Sequence, residues 1–239
     1  MFNRFKKNVG LCFLFLIFLQ GVSYGNPEFR AIEWLSFPVV NNGYYLQSDS
    51  GGATYFYNDA NQLSKIESDS GSVTLVYDDE GFLIKEKYSN GNQWTIEYNA
   101  DKTQSTDSFV KGGTISQVNH STYDNHHNLV QVIRAYDDIT VPNLKILYTF
   151  DNLNIRIKRQ RYYYDSSDDS FKFQASSTYS YEKDNNGNIT KETCVIDNIA
   201  EDYSYSFTWD TQPNIDSNSS SNSSGNDDGS SGCFIHALY

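Results

Sequence analysis

Apolar and polar positions alternate along most of this chain in short runs. Thr74, Val76, Phe82 and Ile84 form one such series, and Trp94, Ile96 and Tyr98 form the next. A period of two is what a pleated strand with one buried face requires, so the pattern predicts strands rather than helices. Each run breaks at a corner of recurring composition: an aromatic residue, then Asp or Asn, then an aliphatic residue about six positions after the aromatic. Tyr55-Phe56-Tyr57-Asn58-Asp59-Ala60-Asn61-Gln62-Leu63 and Val76-Tyr77-Asp78-Asp79-Glu80-Gly81-Phe82-Leu83 agree well with one another. Tyr77 suits a strand end, Asp78 and Asp79 offer turn-capping oxygens, Gly81 supplies positive φ, and Leu83 restarts an apolar face.

Further corners follow at intervals of roughly 20 to 30 residues, the range in which repeat architectures arise. Tyr98-Asn99-Ala100-Asp101 is a weak one, because no aliphatic residue arrives after it. Tyr123-Asp124 to Leu129 restores the pattern. Tyr148 to Ile155 reads as a copy with a shortened turn, Tyr179 to Ile189 as one with a lengthened turn, and Tyr205 to Asp210 closes the series. Second turn signals, such as Ser68-Asp69-Ser70-Gly71, Ser89-Asn90-Gly91-Asn92 and Lys111-Gly112-Gly113, fall between corners and close the opposite edge. Each interval therefore holds two strands.

These corners resemble the YD repeats of Rhs proteins, bacterial insecticidal toxin shells and teneurins, whose unit is approximately Tyr-x-Tyr-Asp-x-x-Gly-x-Leu. The resemblance spans most of Tyr55 to Asp210, with Asn61, His127 or Asn154 at the Gly position of several copies. It implies a long β-sheet that spirals into a shell or wraps a cargo, in a family some of whose members contact carbohydrate or other cell-surface partners. The copies here are too few for a closed cocoon, and no toxic tail follows them. The expectation is an all-β protein: an extended antiparallel β-sheet of repeated hairpins over residues 55–212, with a cap over residues 26–54. Phe29, Ile32, Trp34, Leu35, Phe37, Val39 and Val40 suit a cap that covers an open sheet edge, with Trp34 facing a sugar ring as the alternative.

Composition narrows the setting. Tyr is abundant at 19 residues while Met and Pro number 1 and 4, which favours cross-strand ring packing over long helices. The formal charge is -12, which repels nucleic-acid phosphates and leaves a solvated acidic surface or a cationic partner. Arg4, Lys6 and Lys7 precede an apolar run from Val9 to Leu19, then Gly21, Ser23 and Gly25, so residues 1–25 read as a signal peptide cleaved after Gly25. Hydrophobic residues follow Cys12, which argues against lipidation there. Export leaves Cys194 and Cys233, too few for a disulfide framework. Residues 213–231 are nearly all Ser, Asn, Gly and Asp and read as a flexible linker. The segment 232–239 resembles the Cys-Phe-Ile box at the C-terminus of some bacterial surface proteins, which implies anchoring or processing at Cys233; an incidental thiol is the alternative.

Motifs that carry chemistry are missing. No nucleophile elbow, phosphate-cradling loop, paired-Cys zinc spacing or His-Glu-x-x-His run occurs. His120, His126, His127 and Asp124 cluster in sequence, yet His126 and His127 fall inside a corner. Glu182, Asp184, Asn186 and Gly187 imitate part of a calcium loop, but Thr193 stands where the bidentate acid belongs. The pairs Asp78/Asp79, Asp137/Asp138 and Asp168/Asp169 sit in turn signals. The chain is accordingly expected to be non-enzymatic, without cofactor or metal. The most unusual surface is Arg156, Lys158, Arg159 and Arg161 beside Tyr162, Tyr163 and Tyr164. Arg156, Lys158 and Tyr163 are the candidate ligand-binding residues, for stacking on sugars or gripping an acidic polysaccharide; the competing reading is an edge strand protected by charge. The functional expectation is a secreted or envelope protein of a bacterium that adheres to a surface or binds carbohydrate. The alternative is a structural or toxin-associated fragment that docks onto another exported protein, with membrane association only through the C-terminal anchor.

Overall fold

The computed structural model describes residues 30–136, 138–197 and 203–215, apart from the side chains of Ile32 and Trp34. The expected signal peptide, the terminal segment with Cys233, and all of the linker after Ile215 lie outside the described residues. A single helical turn, α1 (Ala31–Trp34), precedes β1 (Val40–Asn41), β2 (Tyr44–Asp49), β3 (Thr54–Tyr57), β4 (Leu63–Ser68), β5 (Gly71–Tyr77), β6 (Leu83–Tyr88) and β7 (Gln93–Tyr98). The series continues with β8 (Gln104–Lys111), β9 (Thr114–Tyr123), β10 (Leu129–Tyr136), β11 (Leu144–Phe150), β12 (Arg156–Asp165), β13 (Ser170–Lys183), β14 (Ile189–Ile196) and β15 (Tyr203–Asp210).

The protein is all-β, but its sheet is not open. Consecutive strands pair antiparallel from β3 to β15, and β2 then pairs with β15 on one side and β3 on the other. The result is a closed 14-strand antiparallel barrel, with β1 paired only to β2. Closure corrects the extended sheet expected from the repeats. Its physical reason is that a closed ring has no unpaired edge to protect. The contact between β2 and β3 is short, and residues 212–215 fill the gap beside it: Tyr57 N donates to Asn214 O at 2.7 Å and Gln47 Nε2 to Gln212 O at 2.9 Å.

The corners lie at one end of the barrel, and five of them share one geometry. In the copy at Asp78, Oδ1 accepts from the backbone N–H of Glu80 and Phe82, while Asp78 N donates to Phe82 O. Asn58, Asp124, Asp151 and Asp184 make the same two side-chain bonds, to residues two and four positions on. The fourth residue of each turn has positive φ: Asn61 60°, Gly81 88°, His127 61°, Asn154 59° and Gly187 84°. Asn and Gly tolerate that region best, which accounts for the substitutions at the Gly position. The turns at Asp151 and Asp184 are therefore of ordinary length, neither shortened nor lengthened. Counting five residues on from Asp151 puts Arg156, not Ile155, where other copies have Leu63, Leu83, Leu129 or Ile189.

Backbone donors hold the Asp184 carboxyl below its usual range, since Asn188 and Asn186 hydrogen bonds outweigh the opposing desolvation. A depressed carboxyl contributes stability above its unfolded pKa and loses it as pH falls through the folded value. Asp184→Asn keeps the turn acceptor, as Asn58 does naturally. The variant is expected to unfold with a weaker acid dependence below about pH 4, the ordinary carboxylate range, and urea titrations at a series of pH values read this directly.

At these corners the strand pairing carries a bulge. Tyr57 pairs with Leu63 but Phe56 with Lys65, and the same slip recurs at Tyr77/Leu83, Phe150/Arg156, Lys183/Ile189 and Trp209/Leu46. The corner between Tyr98 and Ser105, weak in sequence, lacks it. Because of the bulge, the residue paired to the corner and the residue three later both face inward: Leu63 and Ile66, Leu83 and Glu86, Leu129 and Val132. The corner aromatic then donates to the carbonyl of that paired residue in the preceding copy. Tyr57 Oη lies 2.9 Å from Leu46 O, Tyr77 Oη 2.6 Å from Leu63 O, Tyr98 Oη 3.2 Å from Leu83 O, and Trp209 Nε1 2.8 Å from Ile189 O. Leu46 thus completes the last copy from the opposite end of the chain.

The segment expected to cap a sheet edge fills the barrel instead. From Arg30 to Val39 it runs through the lumen, tied to opposite walls. Arg30 is 0% exposed, with Nη1 2.9 Å from Asp107 Oδ2 and Nε 3.5 Å from Glu86 Oε1. Glu86 also accepts from Ala31 N at 2.7 Å and from Tyr88 Oη at 3.1 Å. Glu33 caps α1 through Arg30 N and receives Arg134 Nη2 at 2.7 Å. Ser36 Oγ donates to Glu192, and Phe37 packs edge-on against Phe207 with ring centroids 4.8 Å apart. Buried charges in such a lumen persist only when paired and hydrogen-bonded.

Candidate functional site

The bulge after Asp151 decides where the candidate residues go. Phe150 pairs with Arg156 and Thr149 with Lys158, so Arg156 and Arg159 face the lumen while Lys158 faces outward. Arg156 is 4% exposed; its Nη1 donates to Glu33 O at 3.0 Å and its Nη2 to Leu35 O at 2.7 Å, and its guanidinium lies 4.7 Å from the Tyr148 ring centroid. It holds the C-terminal carbonyls of α1, so it belongs to the lumen seal. Tyr163 pairs with inward-facing Leu144 and stands 46% exposed at the lumen rim. The three candidates occupy three different places. Nor is β12 an edge strand, since β11 and β13 flank it.

What β12 does present outward is its even-numbered set: Lys158, Gln160, Tyr162 and Tyr164. Tyr162 pairs with Lys145 on β11 and Phe173 on β13, and Tyr164 with Phe171. The Lys145 ammonium lies 4.9 Å from the ring centroids of both Tyr162 and Phe171. Tyr162 and Phe173 meet edge-to-face at 5.6 Å, Tyr164 and Phe171 at 5.5 Å, and Phe173 is 53% exposed. At the hairpin tip Tyr164 Oη donates to Asp169, which raises the phenol pKa. This is an aromatic and basic stripe on a wall that elsewhere shows Thr74, Lys85, Lys87, Thr95, Glu97, Thr106 and His120 to solvent. Such a wall differs from the apolar band of a lipid-facing barrel.

Parity was the signal that finds the stripe. Tyr162 and Tyr164 share the face of Lys158, whereas Tyr163 does not. Lys145, Phe171 and Phe173 carried no local signal, because only strand pairing brings them alongside.

The other sequence candidates are dispersed. His126 is exposed in its turn, His127 packs edge-on against Phe82 with ring centroids 5.5 Å apart, and His120 Nδ1 lies 3.5 Å from Thr106 Oγ1. Asp138 Oδ1 accepts from the backbone N–H and hydroxyl of Thr140, and Asp168 from Ser170. Cys194 is a buried free thiol whose pKa burial pushes up.

No family model and no curated protein matches the chain. Among solved structures it is similar to a porin-like protein from Bacteroides uniformis at 14% identity, over 66% of this chain and 89% of that one, with a TM-score of 0.41. A protein of unknown function from Bacteroides fragilis shares 12% identity over 53% of this chain and 91% of that one, with a TM-score of 0.32. A chain of a TcdB2–TccC3–Cdc42 complex shares 17% identity over 64% of this chain but only 8% of its own length, with a TM-score of 0.30. Likeness at these levels carries no functional argument.

Proposed function

We propose that this chain is an exported, non-enzymatic binding protein of the bacterial envelope, built from YD-type repeats, whose outer stripe takes carbohydrate. The observation that supports it is the convergence of Lys145, Lys158, Tyr162, Tyr164, Phe171 and Phe173 on one outward face of β11–β13. Aromatic faces stack on the apolar faces of sugar rings, and ammonium groups favour acidic ones. A plugged lumen leaves the outer wall as the larger recognition surface, and the polar exterior suits an aqueous compartment of the envelope.

A glycan array that includes acidic polysaccharides tests this reading. Tyr162→Ala together with Phe173→Ala is expected to lower binding at least tenfold while leaving the thermal midpoint nearly unchanged, since both side chains face outward. Equal signals from the two proteins, or a blank wild type, would overturn it. The 53% exposure of Phe173 also favours the second reading, docking onto another exported protein; a single protein recovered through the same two side chains, with no glycan signal, is the outcome that selects it.

A further inference from the structure

Lys145 and Lys158 carry the positive charge of the outer stripe, and neither meets a carboxylate among the described residues. Other lysines do: Lys65, Lys102, Lys172 and Lys191 pair with Glu67, Asp78, Asp168 and Glu182. The Lys145 ammonium is instead held over two rings, 4.9 Å from the centroids of both Tyr162 and Phe171. That grip fixes where the charge stands without neutralising it. Lys85 and Lys87 also lack an acid, but their cross-strand partners are Val76, Thr95, Thr74 and Gln93, which include no ring to hold them in place.

Register sets the distance between the two charges. Lys145 pairs with Tyr162, and Lys158 lies four residues back along β12, paired with Thr149 and Thr178. Four residues at a rise of about 3.3 Å, and one strand over at about 4.8 Å, put the two Cα positions roughly 14 Å apart. Lys145 leans towards Phe171, which lies opposite Tyr164 on the tip side of Tyr162, and so carries its ammonium away from Lys158. One small anion therefore does not bridge both, whereas a chain with negative groups at intervals does. Gln160 stands between the two lysines on the same face, with an amide that can donate and accept. The hairpin tip sets the direction of such a chain. Asp165, Asp168 and Asp169 stand there, each met by its own donors: Ser167, then Ser170 with Lys172, then Tyr164. These acids repel negative groups beyond Phe171, so the charge of a guest is favoured from Lys145 towards Lys158.

We infer that the stripe selects polyanionic glycan chains, laid along β12 with one acidic group at Lys145, another at Lys158, and a sugar face on Tyr162 and Phe173. This rests on the carbohydrate reading of the stripe, and adds to it the class of sugar chain and the two residues that read its charge. The rings offer an apolar face to any sugar and do not sort charged from neutral ones, so the lysines supply the choice. Uronic-acid carboxylates and sulfate esters present the same chemistry to an ammonium, a compact point charge without the planar fork that would tell them apart. The attraction is local, because the protein as a whole carries a formal charge of -12 and repels polyanions elsewhere.

Calorimetric titration of the full chain against two matched pairs tests the assignment: polygalacturonate with its methyl ester, and dextran sulfate with dextran. The first pair reads carboxylate and the second sulfate, and the readout is the ratio of acidic to neutral affinity. At low salt the wild type is expected to bind at least one acidic member about tenfold more tightly than its neutral partner, the scale of two exposed ion pairs. High salt should erase that ratio. A galacturonate hexamer should bind more tightly than galacturonic acid itself, which reaches one lysine at a time. Lys145→Met and Lys158→Met should each lower the ratio about threefold and together bring it close to one. Lys145→Arg should keep it, since the charge and the stacking on both rings survive. Acidic and neutral members bound alike, a ratio undiminished in the double variant, or a monomer bound as tightly as the hexamer would each overturn the inference while leaving carbohydrate binding in place. A wild type that binds none of the four polymers would overturn the carbohydrate reading and this inference with it.

Discussion

Arg30→Ala is expected to lower the unfolding free energy by about 3–5 kcal/mol, a loss comparable with much of the stability of an ordinary domain. The guanidinium is wholly buried, and its removal strands two carboxylates, Asp107 and Glu86, in the middle of the barrel. Ser105 and Ser121 hydroxyls still reach Asp107, at 2.7 Å each, but they bring no charge. A deletion on one side of a buried pair costs far more than replacement of the whole group by apolar residues of similar volume. Arg30→Met combined with Asp107→Leu and Glu86→Leu should therefore recover most of the loss. Urea denaturation of the two proteins, followed by Trp fluorescence, checks both halves; equal stabilities would remove the ion group from the account of the lumen.

Trp209→Ala is expected to cost about 3 kcal/mol, in the lower part of the range for large aromatic residues because the ring is only partly buried. Trp209 belongs to the strand that closes the barrel: it pairs with Leu46, donates to Ile189 O at 2.8 Å and lies 6.2 Å from the Phe37 ring of the plug. Trp209→Phe isolates the hydrogen bond and should cost about 1 kcal/mol. Calorimetric melting of both variants separates packing from polar contributions. A loss at Trp209 below that for the Phe variant would contradict its part in closing the ring.

Much of this architecture was legible before any coordinates. Asp or Asn at a corner acts on backbone donors two and four residues away, so its signature is local, and Asn61, His127 and Asn154 stand where a left-handed residue is needed. Alternation along β5 and β7 is local too. The bulges were not legible. They turn two inward side chains into neighbours three apart, a spacing that plain alternation never yields, and they part Arg156 from Lys158, two residues that simple alternation would keep on one face. Closure was hidden for a different reason: β2 and β15 pair across some 160 residues, and nothing near Leu46 marks it as the missing partner of Trp209. The plug was hidden because Arg30 and Glu33 look like ordinary surface charges until the acids and the arginine that receive them, Glu86, Asp107 and Arg134, are brought together.

The closing strand pair, β2 with β15, joins segments some 160 residues apart, and this has a kinetic consequence. The rest of the sheet can assemble in order, but β2 has no neighbour on its second side until β15 arrives. Contacts this distant in sequence form slowly, and an unfinished sheet offers its raw edges to other chains in the meantime. Folding of this protein therefore passes through a stage in which the sheet is nearly complete and most prone to aggregate, and its yield should rise with any chaperone that shelters an open β-edge.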